Sequence, residues 1–378
     1  MSPSIPAGPG RSLRIGIDGR ELEGKPTGVG RYLRSLLRRF ATHEGHEFVV
    51  YSRAPIALPA ESKRIATSVR PGGHPFFWEQ RALPAALRRD RIDVLLSPAY
   101  SCPLLGSVPR VTAIHDLSFF ARPEEFGAAH GLRRRVMAGL SARASRSILA
   151  CSEFTKSEVL LHLGAAAAAR TEVVLLGPDD DLPAGPDRET GRKALGLAPE
   201  VAYIVTVGTV LRRRNVSTLV RAVARLREKR PKVRLGIVGD NRSHPYEDVA
   251  GLARSIGCEA AVQVFGFVSD EDVARHYAAA DVAVFLSEYE GFGLAALEAM
   301  SRGVPTIIAN RGSLNELFVA GALLVEPEER AVADALARVL DDPAVEADLR
   351  KRGRERSTFF SWERAARETL AVLERAAS

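Results

Sequence analysis

The chain has 378 residues, 46% of them hydrophobic and 26% charged, with a formal net charge of +7. Its length exceeds what one core usually serves, so two domains are expected, and its composition is that of a globular protein rather than a disordered one. No apolar run reaches the ~18–20 residues that span a bilayer, and Cys102, Cys151 and Cys258 are far apart, odd in number and without metal-ligand spacing, which points to a reduced, cytoplasmic setting.

Residues 1–12 read as a disordered Pro/Gly/Ser-containing tail without the apolar core of a signal peptide. Strand-like runs follow at Leu13–Ile17, Glu47–Tyr51, Val94–Ser97, Val111–Ile114, Ser147–Cys151 and Glu172–Leu176. Helical patterns fall between them at Gly30–Thr42, Phe76–Arg89, Leu132–Ala144 and Ser152–Leu163, while Ala165–Ala169 is a low-complexity helix end or loop. Residues 177–189 break both periods and read as an interdomain linker. Strands then resume at Tyr203–Gly208, Val233–Val238, Val262–Phe265, Val282–Leu286 and Thr306–Ala309. Helices are expected near Val216–Lys229, Tyr246–Ile256, Asp270–Ala279 and Leu294–Arg302, with two more closing the chain. Strict strand–helix alternation predicts two α/β halves with parallel, doubly wound sheets, whose ligands bind at strand C-terminal ends.

The charge is unevenly placed. Residues 1–180 hold 25 Lys+Arg against 17 Asp+Glu, and the remainder 28 against 29. Arg133, Arg134, Arg135, Arg143 and Arg146 concentrate the excess around one helix, a surface that suits an anionic membrane or a phosphate-bearing acceptor. No zinc spacing, recognition helix or aromatic stacking run supports nucleic-acid binding.

Residues 287–305 carry the most chemistry. An apolar strand leads to Glu290, Gly-Phe-Gly follows at 291–293, and helix formers from Leu294 to Met300 contain Glu298. Strand, glycine loop and helix start together aim backbone N–H groups and a positive helix end at an anion. The two acids then flank it, which fits a diphosphate set between two hydroxyl-bearing sugars. Arg213 and Arg214 follow the strand ending at Gly208 and suit the same anion. Thr27-Gly-Val-Gly-Arg opens a helix after the first strand, but Leu33 stands where a dinucleotide fingerprint needs its third glycine. His115-Asp116 ends another strand. Asp179-Asp180-Asp181 lies in the linker and reads as a solvated run.

With these residues in view, the chain resembles the retaining GT-B nucleotide-sugar glycosyltransferases of family 4 across nearly its whole length. The resemblance rests on Glu290-Gly-Phe-Gly-Leu-Ala-Ala-Leu-Glu298 with Gly303-Val304-Pro305, on Asp18-Gly-Arg20, on Thr27 to Tyr32, and on Ile114-His-Asp-Leu-Ser-Phe119. Cys151 to Lys156, Val207 to Asn215, Phe265 to Asp270 and Phe360-Ser-Trp-Glu363 complete it in order. The pattern is most similar to bacterial mannosyltransferase-type members that build cell-surface polysaccharides.

The resemblance implies two Rossmann-like doubly wound domains facing a central cleft: an acceptor-side domain over 13–178, a connector over 179–200 and a donor-binding domain over 201–358. A closing helix over 359–378 would return to the first domain. It implies that Glu298 holds the nucleotide ribose. Glu290 would sit near the donor sugar beside Gly291, Phe292, Gly293 and Leu294. Arg213 and Arg214 would hold the diphosphate, with Arg in place of the family's usual Lys at the second position. Gly266, Phe267 and Val268 would read the base through main-chain groups. Gly28 and Gly30 would face the diphosphate from the first domain, and His115 would lie beside the donor sugar. Catalytic roles thus fall to His115, Glu290, Arg213 and Arg214. The expected partners are a nucleoside diphosphate sugar and a glycan or lipid-linked acceptor, with no cofactor or obligatory metal and peripheral contact with the inner membrane face. An epimerase-like enzyme without a separate acceptor, or a non-catalytic nucleotide-sugar-binding scaffold, are the competing classes.

Overall fold

The computed structural model describes residues 11–24, 27–60 and 62–378; the first ten residues of the expected tail lie outside the described residues. By contacts the chain forms two units. One runs up to Ala121 and adds Ala128–Gly177 and Ser361–Ser378; the other comprises Arg122–Gly127 and Pro178–Phe360.

The first unit is built on β1 (Arg14–Asp18), β2 (Glu47–Ser52), β3 (Ile65–Val69), β4 (Val94–Ser97), β5 (Arg110–Ile114), β6 (Ser147–Ala150) and β7 (Thr171–Val173). These strands are parallel, in the order β3-β2-β1-β4-β5-β6-β7. A central parallel strand is covered on both faces, and β4 (Val-Leu-Leu-Ser) is accordingly buried at every position. The helix Gly28–Phe40 buries Leu33, Leu36, Leu37 and Phe40, and Phe40 stacks on Phe48 of β2 with ring centroids 4.7 Å apart.

The last helix, Trp362–Ala377, belongs to this unit although it ends the chain. It packs on Gly28–Phe40 and on β4 and β5. Trp362 is buried over Gly177, where a Cβ would come within 2.7 Å of the indole. Glu363 accepts from Arg39 at 2.8 Å, and Glu374 meets His46 at 2.8 Å. Truncating a buried indole of this kind costs about 3–5 kcal/mol, so the closing helix is part of the first core.

The second unit carries β8 (Ala202–Val207), β9 (Val233–Val238), β10 (Val262–Gly266), β11 (Val282–Phe285), β12 (Thr306–Ala309) and β13 (Leu323–Val325). They are also parallel, ordered β10-β9-β8-β11-β12-β13. Val282, Val284 and Leu286 pack with Ile204, Leu235, Ile237 and Ile307, beneath Leu219, Val220 and Val223 of the helix Val216–Arg227.

Four features depart from the sequence expectation. β3 and β13 were not anticipated: β3 is an edge strand with an exposed Ala-Thr pair, and β13 is only three residues long. The expected helix Phe76–Arg89 is interrupted by a π-turn at Trp78–Ala82, in which the Leu83 N–H bonds the Trp78 carbonyl. Pro84, which has no N–H to give, follows at once. Four helices rather than two follow β12, at Gly312–Phe318, Glu329–Asp341, Pro343–Ser357 and Trp362–Ala377. Within the stretch read as connector, Arg188–Ala194 is a helix capped by the Asp187 side chain and packed on Asp270–Ala279.

Candidate functional site

In the second sheet the chain winds outward from β8 to β10, then crosses back to start β11 on the other side of β8. The loops after β8 and β11 therefore flank the topological switch point, where open α/β sheets bind ligands. The loop after β8 carries Arg213 and Arg214 in a 3-10 turn, and the loop after β11 carries Glu290.

Three bonds staple these loops together. The Glu288 N–H donates to the Arg213 carbonyl at 2.8 Å. Asn215, held in the left-handed region at φ 51°, donates its side-chain amide to the Leu286 carbonyl at 3.1 Å. Arg214 Nη2 donates to Glu290 Oε1 at 2.9 Å. Arg214 also presses against Gly208, where a Cβ would come 2.1 Å from Nη1. Its Nε is buried without a hydrogen-bond partner, an N–H that an incoming acceptor would satisfy. Arg212 is exposed, while Arg213 and Arg214 are half-buried.

Glu290 keeps a fixed backbone because its carbonyl accepts from Ser313 Oγ at 2.5 Å. Gly291-Phe292-Gly293 is anchored through its aromatic side chain: the Phe292 ring is buried against Phe318 and Phe360, at centroid distances of 5.9 and 5.6 Å. Gly293 caps the helix Leu294–Ser301 in the left-handed region, φ 97°, and a Cβ there would meet Leu314 at 2.5 Å. Only glycine satisfies both demands. That helix has no capping side chain and no acid in its first turn, so its positive end is left for an anion from outside. Glu298 stands one turn in, 6% exposed, with Oε2 3.4 Å from the Tyr277 hydroxyl.

Gly266 ends β10 with φ 66° and its carbonyl accepts from the Gly239 N–H at 2.7 Å. Phe267 follows with about half its surface exposed, and Val268 is half-buried. The second unit thus brings Arg213, Arg214, Glu290 and the glycine turn together on one sheet edge, with Glu298 on the helix that follows and Gly266–Val268 on the loop after β10.

One contact on this edge was not legible in the sequence. Glu125, from the short segment Arg122–Gly127, accepts from Arg213 Nη1 at 2.8 Å, and neighbouring Arg122 pairs with Glu288. The partners are 88 and 166 residues apart in sequence, a distance at which no local pattern signals a contact.

In the first unit the switch point lies between β1 and β4. Gly28 opens the helix after β1 with open space at its Cβ position. Gly30 is different: its N–H is taken by the Thr27 cap at 2.9 Å, and a Cβ would lie 2.7 Å from the Glu21 carbonyl. His115, just past β5, donates Nε2–H to the Pro98 carbonyl at 2.8 Å, which leaves Nδ1 as an acceptor. Burial pulls its pKa below the usual imidazole range, against the opposing pull of that bond and of Asp116. The imidazole is therefore neutral at pH 7. The His115 carbonyl already accepts from Cys151 Sγ at 3.2 Å and Thr155 Oγ1 at 3.3 Å. Asp116 caps the turn Ser118–Ala121 through the Ser118 N–H and hydroxyl, at 2.9 and 2.6 Å. Arg20 of the Asp-Gly-Arg motif is forked onto Asp18 and also reaches Glu79 at 2.5 Å.

Among the described residues no three of His, Cys, Asp and Glu converge as metal ligands would, and no helix is long and apolar enough to cross a membrane.

Comparison with known proteins bears on the family and the fold. The family model described as Glycosyl transferases group 1 matches residues 187–356, and that described as Glycosyltransferase Family 4 matches residues 26–182. A D-inositol 3-phosphate glycosyltransferase from Nocardioides sp. is 30% identical over 309 residues, covering 75% of this chain and 67% of that protein. The O-antigen chain mannosyltransferase B of Escherichia coli is 29% identical over 265 residues, 69% of this chain and 68% of that one. Among solved structures, Anabaena HepE in complex with UDP and glucose superposes with a TM-score of 0.75 at 21% identity, over 96% of this chain and 100% of that one. That level of identity speaks for the fold, which is GT-B. The chain belongs to the group 1 glycosyltransferases of family 4, and it is a transferase enzyme.

Proposed function

We propose that the chain moves a hexose from a nucleoside diphosphate sugar to a hydroxyl of a glycan or lipid-linked acceptor, with retained anomeric configuration, in the synthesis of a cell-surface polysaccharide. The carrying observation is the Arg214–Glu290 pair, 2.9 Å apart across the switch point of the second sheet. Arg213, Arg214 and the start of the helix Leu294–Ser301 supply preorganised positive charge for the departing diphosphate. Glu298, buried one turn into that helix, accepts the ribose hydroxyls through charge-assisted bonds. Glu290 orients the sugar, and the loop Gly266–Val268 contacts the base. Among the described residues no side chain stands out as a covalent nucleophile, which favours attack from the face the leaving group departs. The role asks for no metal, because the arginines provide the charge that a divalent ion supplies elsewhere.

Mannose is the favoured sugar, supported by the mannosyltransferase among the relatives; the UDP and glucose in the HepE complex make UDP-glucose the alternative. The helix Ala128–Ala144 supports docking to an anionic membrane at the inner face: Leu132, Val136 and Leu140 recur every fourth residue and are exposed, beside exposed Arg133 and Arg143. A thermal-shift panel of GDP-mannose, UDP-glucose and ADP-glucose tests the donor, since a ligand bound only by the folded form raises the melting temperature. Acceptor-dependent release of the nucleoside diphosphate tests the transfer. Stabilisation by none of the three sugars, with no release, would sink the proposal.

A further inference from the structure

Arg122–Gly127 lies in sequence inside the first unit, between Ala121 and Ala128, yet belongs by its contacts to the second. Two ion pairs attach it to the edge built above. Glu125 Oε2 sits 2.8 Å from Arg213 Nη1, with the carboxylate 5% and the guanidinium 13% exposed. Arg122 pairs with Glu288, whose own N–H holds the Arg213 carbonyl. Segment and arginine loop are thus joined at two adjacent points.

A carboxylate on a guanidinium occupies the direction that a phosphate oxygen would take, because both anions match the planar donor fork. The contact is also water-poor. An arginine so engaged cannot give the same N–H to a diphosphate while Glu125 keeps it, and two anions sharing the fork would repel each other. The neighbouring Arg214 is held differently: its carboxylate partner Glu290 lies on the same sheet edge, and its Nε stays unpartnered. Both arginines thus carry an internal carboxylate, but Arg214 keeps an unpartnered Nε to offer an anion while the Arg213 Nη1 is taken by Glu125.

We propose that Glu125 is a built-in counter-anion that sets the donor affinity of this enzyme: the donor diphosphate must take Arg213 from it, and doing so releases the segment Arg122–Gly127. The inference rests on the assignment of Arg213 to the diphosphate made above. Donor binding and loosening of the segment are then one event, and the energy of the Glu125–Arg213 pair is subtracted from the affinity.

The test is calorimetric titration of the full chain with UDP and with GDP, comparing the unsubstituted protein with Glu125→Gln, Glu125→Ala and Arg122→Ala. Glu125→Gln keeps the shape and removes the charge, so the better-bound nucleotide should bind roughly 3- to 10-fold more tightly, in line with exchanging a charge-assisted bond for a neutral one. Arg122→Ala loosens the same segment without touching the carboxylate and should shift affinity in the same direction by less. In the unsubstituted protein, amide exchange in residues 122–127 should rise on saturation with nucleotide. Unchanged or weaker binding by Glu125→Gln, with a melting temperature near that of the parent, overturns the proposal. Arg213→Ala separates the two levels: if it weakens nucleotide binding while Glu125→Gln does not strengthen it, only the counter-anion idea fails. If Arg213→Ala binds UDP and GDP as the parent does, the diphosphate assignment fails with it.

Discussion

Arg214 and Glu290 meet at 2.9 Å although 76 residues separate them, and each comes from the loop after one of the two strands between which the sheet changes direction. Both side chains are about a quarter exposed, so the pair itself contributes no more than about 1 kcal/mol to stability. On the function proposed above, its arrangement is preorganisation: each side chain holds the other in place for the donor. Arg214→Ala should cost roughly 10²-fold in turnover with little change in melting temperature. Arg214→Lys, which restores the residue type the family usually carries there, should lose much less. Steady-state kinetics of the two variants check this, and equal losses would mean that the charge alone is not what matters.

Gly208 gives a second handle on the same arginine. Its φ of 124° is costly for any L side chain, and a Cβ would sit 2.1 Å from Arg214 Nη1. Gly208→Ala should therefore displace the guanidinium and lower stability by about 1–3 kcal/mol. Nucleotide affinity should fall with it, by tenfold or more. Thermal melting and nucleotide titration read the two effects separately; an alanine variant that binds nucleotide normally would show that Arg214 is not needed in its observed place.

Much of this edge was legible before the fold was known, and the reason is local. The run from Val282 to Ser301 folds as the strand, loop and helix that its continuous apolar run, glycines and helix formers dictate, because each signal acts over a few residues. β3 escaped because an edge strand needs only one apolar face, and its Ala-Thr pair is exposed. The helix Arg188–Ala194 was hidden by the prolines and glycines around it, although Asp187, three residues before Thr190, is an ordinary capping signal. Glu125 had no signal at all. Its partner lies 88 residues away, and a single acid in a polar loop looks the same whether it faces water or an arginine. Gly28 and Gly30 looked equivalent in sequence, yet one is open and the other is pressed against the Glu21 carbonyl.

His276 makes the second unit sensitive to acid. It is 1% exposed, its Nδ1 shares a hydrogen bond with the Tyr203 hydroxyl at 2.7 Å, and burial lowers its pKa to about 4, with Asp272 opposing the shift. In the unfolded chain it titrates near 6.5. Between those values the unfolded state binds the extra proton, so stability falls as pH drops from about 6.5 to 4, and above 6.5 the effect is absent. The loss reaches roughly 3 kcal/mol by pH 4. His276→Gln can still accept from Tyr203 but does not titrate. Melting curves at pH 7 and 4.5 should show a smaller acid destabilisation for the glutamine variant than for the parent; parallel losses would place the acid sensitivity elsewhere.

Tyr277 reaches the proposed ribose acid from the neighbouring helix Asp270–Ala279. Its hydroxyl lies 3.4 Å from Glu298 Oε2 and donates to the Ala295 carbonyl at 3.0 Å, so it braces both the carboxylate and the first turn that carries it. A residue that only positions the acid should matter less than the acid itself. Glu298→Ala removes the hydroxyl acceptor and should weaken donor binding by an order of magnitude or more. Tyr277→Phe leaves the carboxylate in place but less restrained, and should raise the donor KM about two- to fivefold while kcat stays within a factor of two. In the double variant Glu298→Ala/Tyr277→Phe the tyrosine effect should vanish, because nothing remains for it to position. If Tyr277→Phe instead lowered kcat and left KM unchanged, the hydroxyl would be acting on the reaction and not on the ribose acid, and the assignment of Glu298 to donor binding would lose its support from this helix.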